Sequence, residues 1–177
     1  RRERHEAGSV NGRRLKLGAI LAGLVLSGLT LLAWTQQWFS IELIPDGSVA
    51  VGGDVAAPAL AALALSGLAL VAALAIAGPV FRVILGLLEA AIGTLVVVSA
   101  ILAIVDPVAA SASAITAVTG VSGTASVIAL VSTVAPTAWP FVALLAGALV
   151  VAVGITIVVS CRFWPQSSRK YQTARLA

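Results

Sequence analysis

Four long apolar stretches constrain this chain more than any other feature of its sequence. They cover residues 17–34, 59–80, 83–105 and 141–161, and Glu89 is the only charged residue within them. A helix rises about 1.5 Å per residue, so roughly 20 apolar residues are needed to cross the hydrocarbon core of a bilayer. Each stretch is close to that length. The sequence therefore predicts an all-α integral membrane protein with four transmembrane helices.

The composition argues against a water-soluble domain. Of the 177 residues, 60% are hydrophobic and 10% are charged, whereas soluble domains carry about 25% charged residues. The basic residues form no stripe with interleaved aromatic residues, so no nucleic-acid partner is expected. The single histidine and single cysteine, His5 and Cys161, leave no metal-ligand cluster and no catalytic triad. We expect the lipid bilayer as a partner, no cofactor, no metal and no enzymatic activity.

The charges predict how the chain is oriented. With four spans, all eleven Lys and Arg residues fall on one side, in the basic tails 1–16 and 162–177 and at a short turn containing Arg82. Four of the seven acidic residues lie in the loops 35–57 and 106–138 on the other side: Glu42, Asp46, Asp54 and Asp106. Because basic residues are retained on the cytoplasmic side, both tails are expected in the cytoplasm.

The two loops differ in what they predict. In the first loop, residues 39–43 alternate at period two, and Pro45-Asp46-Gly47-Ser48 is a turn signal before a second short apolar run. This pattern predicts a small external β-hairpin between the first two spans. The second loop, 106–138, is uncharged after Asp106 and rich in Ser, Thr, Gly and Ala. It is compatible with an external loop holding a short interfacial helix, with a re-entrant segment, or with a fifth span, and we favour the external loop.

Glu89 is the residue most suggestive of chemistry. It lies inside the third span, where a charge costs about 2.5–3.5 kcal/mol, and intramembrane acids often mark proton or substrate paths. Arg82 lies seven residues earlier on the same helical face, which favours a structural pairing of the two. A transport or ligand role for Glu89 is the alternative hypothesis.

Small residues recur at helical spacing within the spans. The set comprises Ala19, Gly23 and Ser27 in the first span, Gly86 and Ala90 in the third, and Gly147 and Gly154 in the fourth. Small faces allow helices to approach closely in lipid, where van der Waals packing drives association. We expect these residues to pack the helices of one chain together, with a face for another membrane protein or for self-association as the alternative.

An external site is conceivable directly after the first span. Gln37, Trp38 and Glu42 together offer an amide, an aromatic ring and a carboxylate. However, Trp34, Trp38 and Trp139 all fall at outer membrane boundaries, where tryptophan is commonly enriched. We therefore favour an aromatic belt over a binding site at this position.

The arrangement of these features resembles a known family. The basic tail is followed by a first span that ends in Ala33-Trp34-Thr35-Gln36-Gln37-Trp38-Phe39, then by an acidic outer loop and the turn at Arg82. This pattern is similar to that of the tryptophan-biosynthesis-associated membrane proteins of actinobacteria. The resemblance implies an actinobacterial plasma-membrane protein whose gene lies among tryptophan-synthesis genes. Gln37 and Trp38 are the only residues to which it assigns significance.

Two functional hypotheses follow from the sequence. The first is a non-enzymatic accessory or structural protein that packs against a larger membrane complex, because chemical groups are scarce and small-residue faces are common. The second is a small transporter or exporter component for a hydrophobic or aromatic metabolite, which would need a polar cavity around Glu89. The sequence identifies neither the partner nor the ligand.

Overall fold

The computed structural model describes residues 2–160, with side chains from residue 16 onward except that of Pro79. Within this range, four helices are long and apolar enough to cross a membrane: Lys16–Trp34, Ala59–Ile76, Val80–Val105 and Trp139–Ser160. This confirms the predicted four-span fold. Cys161, Trp164 and the basic tail 162–177 lie outside the described residues.

The four spans belong to helices α1 (Arg2–Trp34), α3 (Ala59–Ile76), α4 (Pro79–Val105) and α7 (Trp139–Ser160). Helix α1 already begins at Arg2, so the backbone of the basic N-terminal segment continues the helix of the first span. These four helices form a ring in the order α1, α3, α4 and α7. Helix α7 closes the ring because it packs against both α4 and α1.

The turn between α3 and α4 differs from the prediction. The sequence suggested a break at Arg82, but α3 ends at Ile76 and α4 begins at Pro79. Proline fixes its own φ near the helical value and holds the preceding residue extended, so it opens a helix at its first position. Ala77 and Gly78 are accordingly extended, with ψ values of 138° and 173°. Arg82 therefore lies in the first turn of α4.

The predicted hairpin is present and belongs to a larger sheet. Strands β1 (Gln37–Leu43) and β2 (Ser48–Gly52) pair antiparallel, and the short helix α2 (Gly53–Ala56) leads into α3. A third strand, β3 (Val131–Pro136), pairs antiparallel with the other edge of β1, which gives the order β2-β1-β3. The third strand comes from the second loop and has no counterpart in the sequence prediction.

The second loop contains more structure than the single short helix that was predicted. Asp106 caps helix α5 (Pro107–Thr119) by accepting a hydrogen bond from the Ala109 N–H at 2.9 Å. Gly120 ends α5 in the left-handed conformation at φ 70°, which glycine adopts without strain. Helix α6 (Thr124–Leu130) follows at an angle of 78° to α5 and leads directly into β3.

The position of β3 decides between a loop and a fifth span. A cluster of buried residues at one end of the bundle joins the sheet to the ends of all four spans, including Ala33, Leu60, Ala103 and Ala143. The chain leaves α4 at this end, and β3 returns it to β1 at the same end. The pair α5 and α6 therefore makes an excursion that does not cross the bundle. A fifth span is inconsistent with this geometry.

We call the unit formed by β1, β2, α2, α5, α6 and β3 the cap. Its inner face is built from the largest fully buried side chains, including those of Trp38, Phe39 and Ile41. A smaller apolar cluster centred on Leu74 and Ile157 lies at the opposite end of the bundle, near Lys16 and Arg82. We call this opposite end the basic end.

Candidate functional site

Glu89 lies in the interior of the bundle with 3% of its surface exposed. Its side chain extends from α4 towards α1 and α3, where it meets a glycine on each helix. A Cβ added to Gly23 would lie 3.6 Å from the Glu89 Oε1 atom, and a Cβ added to Gly67 would lie 3.9 Å from it. The carboxyl group is therefore enclosed by backbone from two neighbouring helices.

The expected pairing of Glu89 with Arg82 is absent from the structure. Arg82 is also buried, and its Nε–H donates to the Ala77 carbonyl at 3.0 Å, which secures the turn between α3 and α4. Among the described residues, the buried Oε1 atom of Glu89 has no hydrogen-bond partner. An unsatisfied acceptor of this kind costs about 1–3 kcal/mol in a folded protein, so Glu89 requires an explanation other than internal stabilisation.

A narrow gap borders Glu89 on the side of the basic end. It offers no space for a water-sized molecule. Apolar side chains line it, among them Ala19, Leu74, Leu85 and Ile157. In this conformation the gap itself is therefore closed to water.

The predicted small residues of α4 and α7 bring these two helices into backbone contact. A Cβ added to Gly154 would lie 2.6 Å from the Ala90 nitrogen and 2.7 Å from the Gly86 oxygen. Similarly, a Cβ added to Gly147 would lie 3.0 Å from the Val97 nitrogen. Gly93, which the sequence analysis did not single out, would place a Cβ 2.7 Å from the Val151 nitrogen.

The remaining predicted small residues, Ala19, Gly23 and Ser27, lie on the side of α1 that faces α3 and the bundle interior. A Cβ added to Gly23 would lie 2.6 Å from Val71 Cγ2, and Ser27 is buried with its Oγ 2.6 Å from the Cβ position of Gly67. Ala19 is partly buried and lines the gap beside Glu89. These small residues thus lie at contacts within the chain, and Gly67 adds a contact that its spacing did not predict.

The three residues of the candidate external site lie on opposite faces of β1. Gln37 and Glu42 are exposed, whereas Trp38 is fully buried beneath the sheet and donates its Nε1–H to the Ala33 carbonyl at 2.8 Å. Glu42 accepts a hydrogen bond from the Thr133 hydroxyl at 2.9 Å, and Gln37 donates to the Ser40 hydroxyl at 2.7 Å. The structure therefore does not assemble this site, and Trp38 belongs to the core of the cap rather than to an aromatic belt.

The cap contains a cavity that the sequence analysis missed. It measures about 310 Å³ and lies between α5 and α6, with Asp106 and Thr116 among its polar lining residues and Val127 and Ile128 among its apolar ones. No motif marks it, because it arises from the bend between two helices of mixed composition. Within residues 2–160, no group of three or more His, Cys, Asp and Glu residues is placed to hold a metal ion.

Comparison with known proteins identifies a family. A family model described as "tryptophan-associated transmembrane protein" matches residues 16–177, which is nearly the whole chain. No curated protein and no solved structure matches the chain. The matched residues include all four spans, the whole cap and Glu89.

Proposed function

This chain belongs to the tryptophan-associated transmembrane protein family, and from that premise we propose that it is a non-enzymatic accessory subunit of a larger membrane complex. The observation that carries the proposal is the exposure of apolar side chains on the cap. Ile44, directly after β1, is 54% exposed, and Ile128 on α6 is 55% exposed. The Ile44 N–H donates to the Leu130 carbonyl at 2.9 Å, which holds β1 beside the end of α6.

Exposed apolar residues on the cap need a partner more than those on the spans do. Lipid tails cover the apolar residues of a span, whereas a folded unit at the end of a bundle meets water or headgroups unless another surface covers it. Apolar patches in such positions often mark protein interaction sites. The small residues are already occupied in contacts within the bundle, so the cap is the better candidate for docking than the helix faces.

We further propose that the protein lies in a bacterial plasma membrane with the cap outside and both termini in the cytoplasm. In the described part of the chain, Lys16 and Arg82 lie at the basic end, whereas Glu42, Asp46, Asp54 and Asp106 lie in or beside the cap. Retention of basic residues in the cytoplasm supports this orientation.

Site-specific photo-crosslinking in native membranes tests the accessory role. A photoreactive amino acid replaces Ile44 or Ile128, and the control replaces the exposed Ser48 on β2, at the opposite edge of the sheet. We expect positions 44 and 128 to yield an adduct with the same second membrane protein, and position 48 to yield none. Adducts with lipid alone, or with a second copy of this chain alone, would contradict the accessory role.

A transporter component for a hydrophobic or aromatic metabolite is the second candidate. The buried Oε1 atom of Glu89, which has no hydrogen-bond partner among the described residues, favours it. It requires a conformation in which the gap beside Glu89 opens. The test compares efflux of labelled tryptophan and indole from cells that express the wild type or Glu89→Gln at equal levels. A large loss of efflux in the variant supports this role, and unchanged efflux excludes it.

A further inference from the structure

We propose that Glu89 is a proton-binding site in the interior of the bundle and that its proton is delivered from the basic end. The proposal concerns the carboxyl group alone. It is independent of the accessory role, since a protein without any docking partner would contain the same site.

The first step is that no ligand larger than a proton fits beside the Glu89 carboxyl group in this conformation. Glu89 Oε1 is buried, has no hydrogen-bond partner among the described residues, and borders a gap too narrow for water. A hydrated cation or a small organic molecule is larger than water and is excluded as well. A charged carboxylate without a partner is expensive inside a membrane protein. A proton needs no added volume and removes the charge.

The second step is the shape of the surrounding backbone. Gly23 and Gly67 come from different helices, yet both stand beside the same oxygen atom. A Cβ at Gly23 would lie 2.6 Å from Val71 Cγ2, and one at Gly67 would lie 2.6 Å from Ser27 Oγ, so both helices pack closely around this point. The carboxyl group of Glu89 therefore lies where α1 and α3 approach each other.

The third step is the direction of access. The gap beside Glu89 is lined by Ala19, Leu74, Leu85 and Ile157, all of which lie near the basic end. Towards the cap, the buried cluster of Ala33, Leu60, Ala100 and Ala143 closes the bundle. The position of the gap therefore assigns the route to the side of the basic end.

Two charged side chains of the described residues lie near this route. Lys16 on α1 donates from Nζ to the Ala75 carbonyl at 2.7 Å, and Arg82 on α4 donates to Ala77. The sequences of α3 and of α7 within Trp139–Ser160 contain no ionisable side chain. The two cations hold the end of α3 at the mouth of the route.

A lipid-soluble carbodiimide tests the site in the full-length protein in membranes. The protonated carboxyl adds to the central carbon of the carbodiimide, its proton moves to a carbodiimide nitrogen, and the acyl group then migrates from oxygen to nitrogen. A stable N-acylurea remains and nothing leaves. We expect dicyclohexylcarbodiimide at neutral pH to modify Glu89 slowly, as thermal motion opens the gap that is closed in this conformation. A water-soluble carbodiimide should modify only exposed acids such as Asp46. Peptide mass spectrometry of the wild type locates the adduct without any variant.

Infrared spectroscopy in D₂O gives a second readout that does not depend on added reagent. The wild type should show a protonated-carboxyl band at neutral pH that is missing in Glu89→Gln and shifts slowly on deuteration. Ala19→Val, which fills the gap, should slow both the shift and the carbodiimide reaction several-fold, whereas Ala72→Val on the exposed face of α3 should change neither. Absence of both the band and the adduct overturns the proton site, and equal rates in the two valine variants overturn the route.

Discussion

At the scale of single residues, the largest contrast is between two neighbouring tryptophans. Trp38 is fully buried and donates to Ala33, whereas the indole N–H of Trp34 is buried and finds no acceptor in the described structure. A satisfied buried donor stabilises a fold, and an unsatisfied one costs free energy. The same substitution should therefore have different effects at the two positions.

We expect Trp38→Phe to lower the free energy of unfolding by about 2–4 kcal/mol, because it removes the hydrogen bond to Ala33 and leaves a cavity under the sheet. Trp34→Phe is the matched control and should cost clearly less, since it removes a donor that has no partner. Denaturant titration of both variants in the same detergent measures the difference. Equal losses would contradict the assigned role of the Trp38 hydrogen bond.

Glycine provides a second residue-scale prediction. Gly154→Ala places a methyl group against the backbone of Ala90 and Gly86, which no side-chain rotation relieves. Overpacking of this kind costs about 1–3 kcal/mol. Gly28 on α1 has open space around it, so Gly28→Ala should be neutral or slightly stabilising. Thermal unfolding in detergent compares the two, and a stable Gly154→Ala protein would show that α4 and α7 are packed less closely than described.

At the scale of elements, β3 connects the two loops of the chain. The Thr137 N–H donates to the Trp38 carbonyl at 2.8 Å, so these two residues form a hydrogen-bonded pair. Along antiparallel strands, hydrogen-bonded residue pairs alternate with pairs that exchange no hydrogen bond. The pair of Ala135 with Ser40 is therefore hydrogen-bonded, whereas the N–H of Val134 points to the free edge. Pro136 has no N–H. It lies opposite Phe39 in a pair that exchanges no hydrogen bond, which is a position where a strand tolerates proline.

This alternation predicts the effect of a second proline. Ala135→Pro removes a bond between β3 and β1 and should release β3, whereas Val134→Pro affects only the free edge and should retain the pairing. Hydrogen exchange followed by mass spectrometry should show faster exchange of residues 131–136 in the Ala135 variant, with the four spans unchanged. Faster exchange in both variants to the same extent would contradict the register.

The sequence predicted some elements better than others, for physical reasons. The spans were predicted because their apolar length is a local property, and the hairpin because alternation and a turn lie within residues 39–51. Strand β3 was missed because its pairing with β1 joins distant parts of the chain. Trp38 was misplaced because an irregularity between Gln37 and Phe39 turns both Trp38 and Phe39 inward, which strict alternation does not anticipate.

In the candidate site, too, the sequence predicted local properties but not contacts between distant parts of the chain. Glu89 was recognised as the only charge inside a predicted span, which requires no tertiary information. Its neighbours Gly23 and Gly67 depend on how α1 and α3 are rotated about their axes, and spacing alone does not determine that rotation. Arg82 was expected to pair with Glu89, but Pro79 places it in the first turn of α4, where it binds the end of α3 instead.

At the scale of the whole molecule, the cap and the basic end define two different poles. The pole of the cap carries exposed isoleucines and four of the seven acidic residues, Glu42, Asp46, Asp54 and Asp106, and the opposite pole carries Lys16 and Arg82. The four spans between them form a closed ring of neighbours. The orientation of these poles relative to the cell is therefore the property on which the proposed docking and the proposed proton route both depend.

A membrane-impermeant maleimide tests this orientation, because the chain contains one cysteine. In a Cys161→Ser background, a cysteine in place of the exposed Ser122, between α5 and α6, should react in intact cells. The native Cys161 should react only in inverted vesicles or after permeabilisation. The reverse pattern would place the cap in the cytoplasm and contradict the proposed orientation.

The pairing of β1 with β3 also imposes an order on synthesis. Glu42 and Thr133, which bond across the two strands, are 91 positions apart, and a ribosome adds roughly 5–20 residues per second. The hairpin therefore waits several seconds with one edge uncovered, while α3 and α4 enter the lipid. An open strand edge can recruit strands from other chains. Ribosome stalling before residue 131 should consequently produce aggregates joined through β1, whereas the full-length chain after release should not.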